Sequence, residues 1–250
     1  MLKLYSIVRT IAGLAVLLLC VTLPLCGGSL LVSEAPWGSD TDTSIMDNVF
    51  GPGNYTFVNS YASANPSSIF NATNSFVWLE GGDGTETDWG NYVNTNEPQI
   101  LSWVGNGGAL LIMSAGWYGS TVNFGPGGLI SVANYSACGT LTAAGATALP
   151  GTATSQCGND LGHDLVTGTG LTDFMDGASG SLLSGTKYGA GYIMFSGLTD
   201  VEFHDNGPSL LNDVVAYTAG QANTTPEPAS VALIGLGLVG LAMVRRRKRS

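Results

Sequence analysis

"ILSWVGNGGALLIMSAG", Ile100 to Gly116, is the stretch that decides the fold. Extended back to Asn96, "NEPQILSWVGNGG" reads as a helix with Pro98 in its first turn, where the missing N–H is tolerated, and with glycine stops at its end. "ALLIMSAG" (Ala109–Gly116) follows at once, an apolar run without the polar alternation of a half-exposed strand. Such a strand is buried on both faces. Helix, glycine stop and buried strand together form the repeating unit of a sheet covered by helices.

The same grammar extends in both directions. "SLLVSEA" (Ser29–Ala35), "YTFVNS", "SFVWLEGG" (Ser75–Gly82) and "GAGYIMFSG" (Gly189–Gly197) read as further strands. "SIMDNVFG", capped at Asp42 and Thr43, and "GPSLLNDVVAYTAG" (Gly207–Gly220) read as helices. The expected class is therefore α/β: a mostly parallel, flavodoxin-like sheet with helices on both faces. A long irregular insertion, about residues 117–160, interrupts it.

Charge along the 250 residues is one-sided. Between Gly27 and Thr225 the only basic residue is Lys187, against seventeen carboxylates. That field repels phosphate backbones and excludes nucleic acid as a partner. The first residues have a different character, with Lys3 and Arg9 preceding an apolar run from Ile11 to Leu25 and small residues at Cys26, Gly27 and Gly28. This is the pattern of a cleavable secretory signal over residues 1–28, so signal peptidase and the export machinery are expected partners. Cys20 and Cys26 fall within the signal, leaving Cys138 and Cys157 in a Gly/Ala/Thr/Ser-rich stretch of the exported body. In an oxidising compartment two such cysteines are expected to pair, the alternative being two unpaired small side chains.

The chain ends as it began, with apolar and basic residues. Ala229 to Val244 carries no charge, and Arg245, Arg246, Arg247, Lys248 and Arg249 follow. At about 1.5 Å per residue that helix reaches ~24 Å, short of the ~30 Å hydrocarbon core. The basic end holds it on the cytoplasmic side while the body lies outside. A short span after the punctuation of Pro226, Glu227 and Pro228 suggests a sorting segment that is removed (229–250), joined to the body by a linker over 220–228.

"TPEPASVALIGLGLVGLAMVRRRKRS" resembles the PEP-CTERM sorting signal of Gram-negative bacteria, a tail that also circulates under the label "ice-binding protein C-terminal domain". That label describes the tail and implies no ice binding by the body. The resemblance implies recognition by an exosortase, transient anchoring by the C-terminal helix, and delivery to the cell surface or extracellular matrix. Proteins with this tail are often linked to exopolysaccharide and biofilm. The body, residues 29–219, resembles the class I glutamine-amidotransferase-like fold, nearest its ThuA-like branch. "FVWLEGGDG", "ILSWVGNGGALLIMSAG", "GHDLVTGTGLTDF" and "YGAGYIMFSGLTD" carry that likeness by their order.

In such sheets ligands meet the loops at the carboxyl ends of the strands. Those loops bring Glu34 and Trp37, Glu80 and Asp83, Ser114 and Trp117, and Asp200 and His204. Aromatic rings beside carboxylates suit a sugar face and its hydroxyls, so surface polysaccharide is the expected ligand class. The opposing reading has both tryptophans packing beneath the insertion and the acids solvated. The amidotransferase-like fold implies a nucleophilic cysteine at the fourth-strand turn, and here Ser114 stands in its place without the first glycine of that motif. Ser114, His204 and Glu202 supply the residue types of a triad, but Ser114 opens a glycine-rich loop instead of a helix. His163 in "GHDL" matches a ThuA-like His-Pro-Ile segment. "EGGDGTETD" (Glu80–Asp88) has several oxygen donors but lacks the order of a calcium loop, and two histidines make a zinc or iron site improbable, so no metal and no cofactor are expected. The expected role is a non-catalytic binding or scaffolding module, the rival being a secreted hydrolase of glycans or esters.

Overall fold

The computed structural model describes residues 27–82, 84–116 and 121–223. Residues 1–26 of the expected signal, Asp83, Trp117, the Pro-Glu-Pro motif and the hydrophobic tail lie outside them, whereas Gly28, the last residue assigned to the signal, begins the first strand. Ten strands form one sheet: β1 (Gly28–Val32), β2 (Tyr55–Val58), β3 (Asn74–Gly82), β4 (Ala109–Ala115), β5 (Val122–Phe124), β6 (Gly127–Leu141), β7 (Ser155–Gly168), β8 (Thr172–Gly177), β9 (Ser181–Tyr188) and β10 (Gly191–Ser196). Their order is β2-β1-β3-β4-β10-β9-β8-β6-β5, with β7 paired to β6 off this path. Five helices accompany them: α1 (Thr43–Phe50), α2 (Pro66–Ile69), α3 (Glu86–Gly105), α4 (Ala143–Ala148) and α5 (Ser209–Gly220).

The α/β class stands, but the sheet is mixed and mostly antiparallel, which corrects the expected mostly parallel, flavodoxin-like arrangement. Only β2-β1-β3-β4-β10 run parallel. Every pairing among β5 to β10 other than that of β10 with β4 is antiparallel. Parallel neighbours need a long crossover, whereas the turns after β5, β8 and β9 are short and glycine-rich and return the chain beside itself. At the last of these Gly189 adopts φ +59°, and a Cβ there would press on the backbone of Gly105. From residue 121 onward the stretch expected to be an irregular insertion is thus ordered into β5, β6, α4 and the start of β7. Cys138 and Cys157 are direct partners across β6 and β7 and form a disulfide.

α3 also departs from expectation. It begins at Glu86, ten residues before Asn96, so Pro98 sits inside the helix and not in its first turn. Proline removes the hydrogen bond to the carbonyl four residues back, that of Asn94. Both Asn94 and Pro98 are exposed, so water takes the place of the missing donor.

Strand alternation sends side chains to two cores. Leu30, Val32, Val77, Leu79, Leu110, Ile112, Ile193 and Phe195 pack under α3 with Trp89, Val93, Ile100 and Trp103. Leu31, Phe76, Trp78, Leu111, Met113 and Met194 pack on the other face with Ile45 and Met46 of α1 and Leu210, Leu211, Val214 and Val215 of α5. Helices therefore cover both faces of the parallel half, and its strand ends are left to carry a site.

Candidate functional site

The chain runs from β1 outward to β2 and then back past β1 to β3, so the sheet reverses its direction of growth at β1 and β3. Ligands of open α/β sheets gather at the carboxyl ends of strands at such a point. Here Ser33 follows β1 and Glu80 lies near the end of β3, both on the α1/α5 face. A π-helical turn, Gly38–Asp42, leads into α1 and brings Asp42 over them. Asp200, just after β10, precedes a short 3-10 turn, Val201–Phe203.

Asp42, Glu80 and Asp200 are all buried. Ser33 Oγ lies 2.8 Å from Asp42 Oδ2 and 2.6 Å from Glu80 Oε2. A hydroxyl has one proton, so it donates to one carboxyl only; the other contact runs the opposite way, from a protonated carboxyl to Ser33 Oγ. Burial raises all three carboxyls above their ordinary range, with like-charged neighbours adding to the effect at Glu80 and Asp200. Asp42 is pulled back down by hydrogen bonds from Asp200, Ser33 and Glu80. Its position makes Asp42 the shared acceptor of the cluster.

Neighbouring groups support this cluster. Tyr61 Oη donates its one proton to the carbonyl of Glu80 (2.5 Å) and lies 3.1 Å from that of Val32, bridging the ends of β1 and β3. Glu34 accepts the Tyr61 N–H. Gly38 allows the π-helical turn to press onto β1, since a Cβ there would stand 2.9 Å from both Ser33 Oγ and Phe57 Cζ. Trp37 meets Phe203 edge to face at 5.4 Å. These rings, with Glu80, Ala115, His163, Thr199 and Asp200, line a cavity of about 10 Å³, room for roughly one water molecule.

The residues of the possible triad do not meet. Ala115 lies on the face of Leu111 and Met113, where it lines the cavity, so Ser114 faces the opposite side with Leu110 and Ile112. Ser114 is fully buried there, and its Oγ has no hydrogen-bond partner among the described residues. His204 is also buried, whereas Glu202 is exposed. Burial lowers His204 to about 4, so its ring is neutral at ordinary pH. His163 instead faces the strand ends, with Nδ1 3.2 Å from the carbonyl of Ala115. Among the described residues no group of three or more His, Cys, Asp and Glu side chains is arranged to hold a metal.

Sequence reasoning found Glu34, Trp37, Glu80 and Asp200 as strand-end residues but missed Ser33, Asp42 and Tyr61. Asp42 reads as a helix cap, yet its side chain makes no capping bond to α1 and turns inward to Ser33. A second concavity lies far along the sheet, a wide groove of about 750 Å³ beside α4, β8, β9 and α5. Thr147, Phe174, Thr186, Lys187, Tyr192 and Tyr217 are among its walls. Tyr217 stacks at a tilt on Phe174 (5.4 Å) and edge-on to Tyr192 (6.0 Å).

Fold and site define an α/β protein with a closed, acid-lined strand-end cavity, and the tail defines its route. Residues 224–248 match the PEP-CTERM protein-sorting motif. The chain is accordingly an exported, membrane-processed protein of the Gram-negative type, targeted to an exosortase. No curated protein is a significant match to the sequence. Among solved structures, a cytoplasmic protein from Salmonella typhimurium aligns with a TM-score of 0.53 at 12% identity, over 79% of this chain and 100% of that one. Another from Salmonella typhimurium LT2 aligns at 0.47 and 11% identity, over 78% and 97% of the two chains. A beta-galactosidase from Bacillus circulans sp. alkalophilus aligns at 0.42 and 10% identity, over 78% of this chain and 30% of that one. The first of these likenesses concerns fold alone.

Proposed function

We propose that the exported body is a non-catalytic binding or scaffolding module of the cell surface or extracellular matrix, in contact with surface polysaccharide. The division of labour is a signal over 1–28, a body over 29–219 related to the class I glutamine-amidotransferase-like fold, a linker over 220–228, and a sorting segment over 229–250. The observation that carries this reading is the closed strand end: Trp37 and Phe203 cap a cavity for about one water, and Ser114 faces away from it. A hydrolase acting at that cleft needs an open path and a nucleophile beside a base.

The wide groove is the surface better suited to a glycan. Tyr217 presents a partly exposed ring on which a sugar face can stack, threonine hydroxyls line the walls, and Lys187 is the single cation of the body. Retention of the chain on immobilised surface polysaccharides tests this. Tyr217→Ala and Lys187→Ala are expected to weaken retention about tenfold each, the loss of roughly 1.4 kcal/mol. Retention unchanged in both variants removes the groove from the reading, and no retention on any polysaccharide removes the reading itself.

A further inference from the structure

We propose that the wide groove selects an anionic glycan, a polyuronate whose sugar carboxylates pair with Lys187; the inference rests on the groove being the glycan surface. The charge of the body sets the problem. Between Gly27 and Thr225 seventeen carboxylates stand against one ammonium, so an acidic polymer is repelled over most of the surface. The groove is where that field is locally reversed, because Lys187 is among its lining residues and no carboxylate is.

The carboxylates nearest along the chain are engaged with hydroxyls. Asp173 accepts from the buried Ser184 Oγ at 2.7 Å. Asp213, one turn before Tyr217 on α5, accepts from Thr152 Oγ1 at 2.9 Å. Lys187 is exposed and forms no ion pair among the described residues, so its three donors are left for a ligand.

Strand register sets that ammonium beside a stacking surface. Lys187 on β9 is the direct partner of Tyr192 on β10, so the two side chains leave the same face of the sheet as close neighbours. Tyr192 in turn meets Tyr217 edge-on at 6.0 Å. Gly185 keeps the floor between the strands open, since a Cβ there would strike Tyr192 Oη. One tyrosine thus separates the cation from the half-exposed ring of Tyr217. A pyranuronate carries a counterpart for each: an apolar ring face for Tyr217, and a carboxylate, ionised at neutral pH, for Lys187. A neutral sugar uses the ring and leaves the ammonium to water. A phosphate would bring a second negative charge for which the body has no second cation.

Retention of the full chain, in neutral detergent, on immobilised polygalacturonate and polymannuronate beside the methyl ester of each tests the selection. At 0.15 M salt repulsion beyond about 8 Å is screened. At least one polyuronate is expected to bind about tenfold more tightly than its own ester. Lys187→Gln should erase that difference while leaving affinity for the ester within twofold, and Lys187→Arg should keep it. Equal affinity for acid and ester overturns the selection alone, as does a preference that persists in Lys187→Gln. Dextran sulfate held more tightly than either polyuronate also overturns it, since the groove would then read charge density. Retention on neither acid, ester nor neutral dextran removes the glycan surface itself.

Discussion

Glu80→Gln isolates the thermodynamic consequence of burying ionisable groups at the strand ends. Glutamine keeps the length of Glu80 and can donate to Ser33, but it carries no proton to release. In the wild type, burial first and the neighbouring Asp42 second raise Glu80 well above its ordinary value of 4.5. A carboxyl raised in the folded state keeps its proton after the unfolded chain has lost it. Stability is therefore greatest in acid and falls as pH rises from about 4.5 toward the raised value, by up to about 1.4 kcal/mol per pH unit for each retained proton. His204 acts in the opposite sense. Lowered by burial to about 4, it withdraws stability on acidification between 6.5 and 4 and contributes no slope above 6.5. Above pH 6.5 the difference between wild type and Glu80→Gln therefore reports Glu80 without a contribution from His204. Urea unfolding at half-unit pH steps measures it. Wild-type stability should decline as pH rises, Glu80→Gln should decline less by up to about 1.4 kcal/mol per pH unit, and the variant should be the more stable protein at pH 8. General repulsion within an acidic chain is common to both and cancels in their difference. Parallel pH profiles would refute the reasoning, because Glu80 would then titrate alike in the folded and unfolded chains.

Other outcomes follow from separate parts of the chain. Cys138 and Cys157 close a loop of 19 residues across β6 and β7, so Cys138→Ala with Cys157→Ala should reduce stability by about 3 kcal/mol in urea unfolding under oxidising conditions. Ser114→Ala and His204→Ala should leave any ester or glycan hydrolysis unchanged, and a fluorophosphonate probe should leave Ser114 unlabelled. Specific labelling at Ser114, abolished by His204→Ala, would instead establish the hydrolase. Mass spectrometry of the protein from cells that possess an exosortase should find no peptide from Leu233 onward; an intact C-terminus there would refute removal of the tail.

The parallel half of the sheet was legible because its signal is local and strong. "SLLVSEA", "SFVWLEGG" and "ALLIMSAG" are apolar without alternation, as strands between two helical layers must be. The antiparallel half was not, for the opposite reason. β6 and β7 are long, but their apolar residues (Leu129, Ile130, Val132, Tyr135, Leu141, Leu161, Leu165 and Val166) are scattered among Gly, Ser, Asn and Asp without a sustained period of two. Such strands are held by cross-strand pairing and a disulfide, which composition reads as loop. α3 was found at half its length because Pro98 signals a helix start, and only the exposure of Asn94 explains how it sits inside one. The acidic cluster was half visible. Glu80 and Asp200 stand at strand ends where a sheet of this kind places ligands, but Ser33 and Asp42 come from a single-residue exit and a helix cap. Nothing in a linear pattern separates an Asp that caps a helix from one that turns into the protein.

The same cluster bears on why the strand ends are closed at all. Three buried carboxyls with no lysine or arginine beside them among the described residues are a poor device for stability alone, since apolar side chains of equal volume serve as well or better in such positions. They do supply directionality: a carboxyl accepts at one oxygen and donates at the other, so Asp42 must face Ser33, Glu80 and Asp200 together or be left unsatisfied. Gly38 and Tyr61 serve the same geometry, one by letting the π-helical turn descend onto Ser33, the other by clamping the carbonyls of β1 and β3. A leucine at any of the three positions would fill space but would not specify which segment lies over which strand. The strand ends are therefore specified by the direction of their hydrogen bonds as well as by volume.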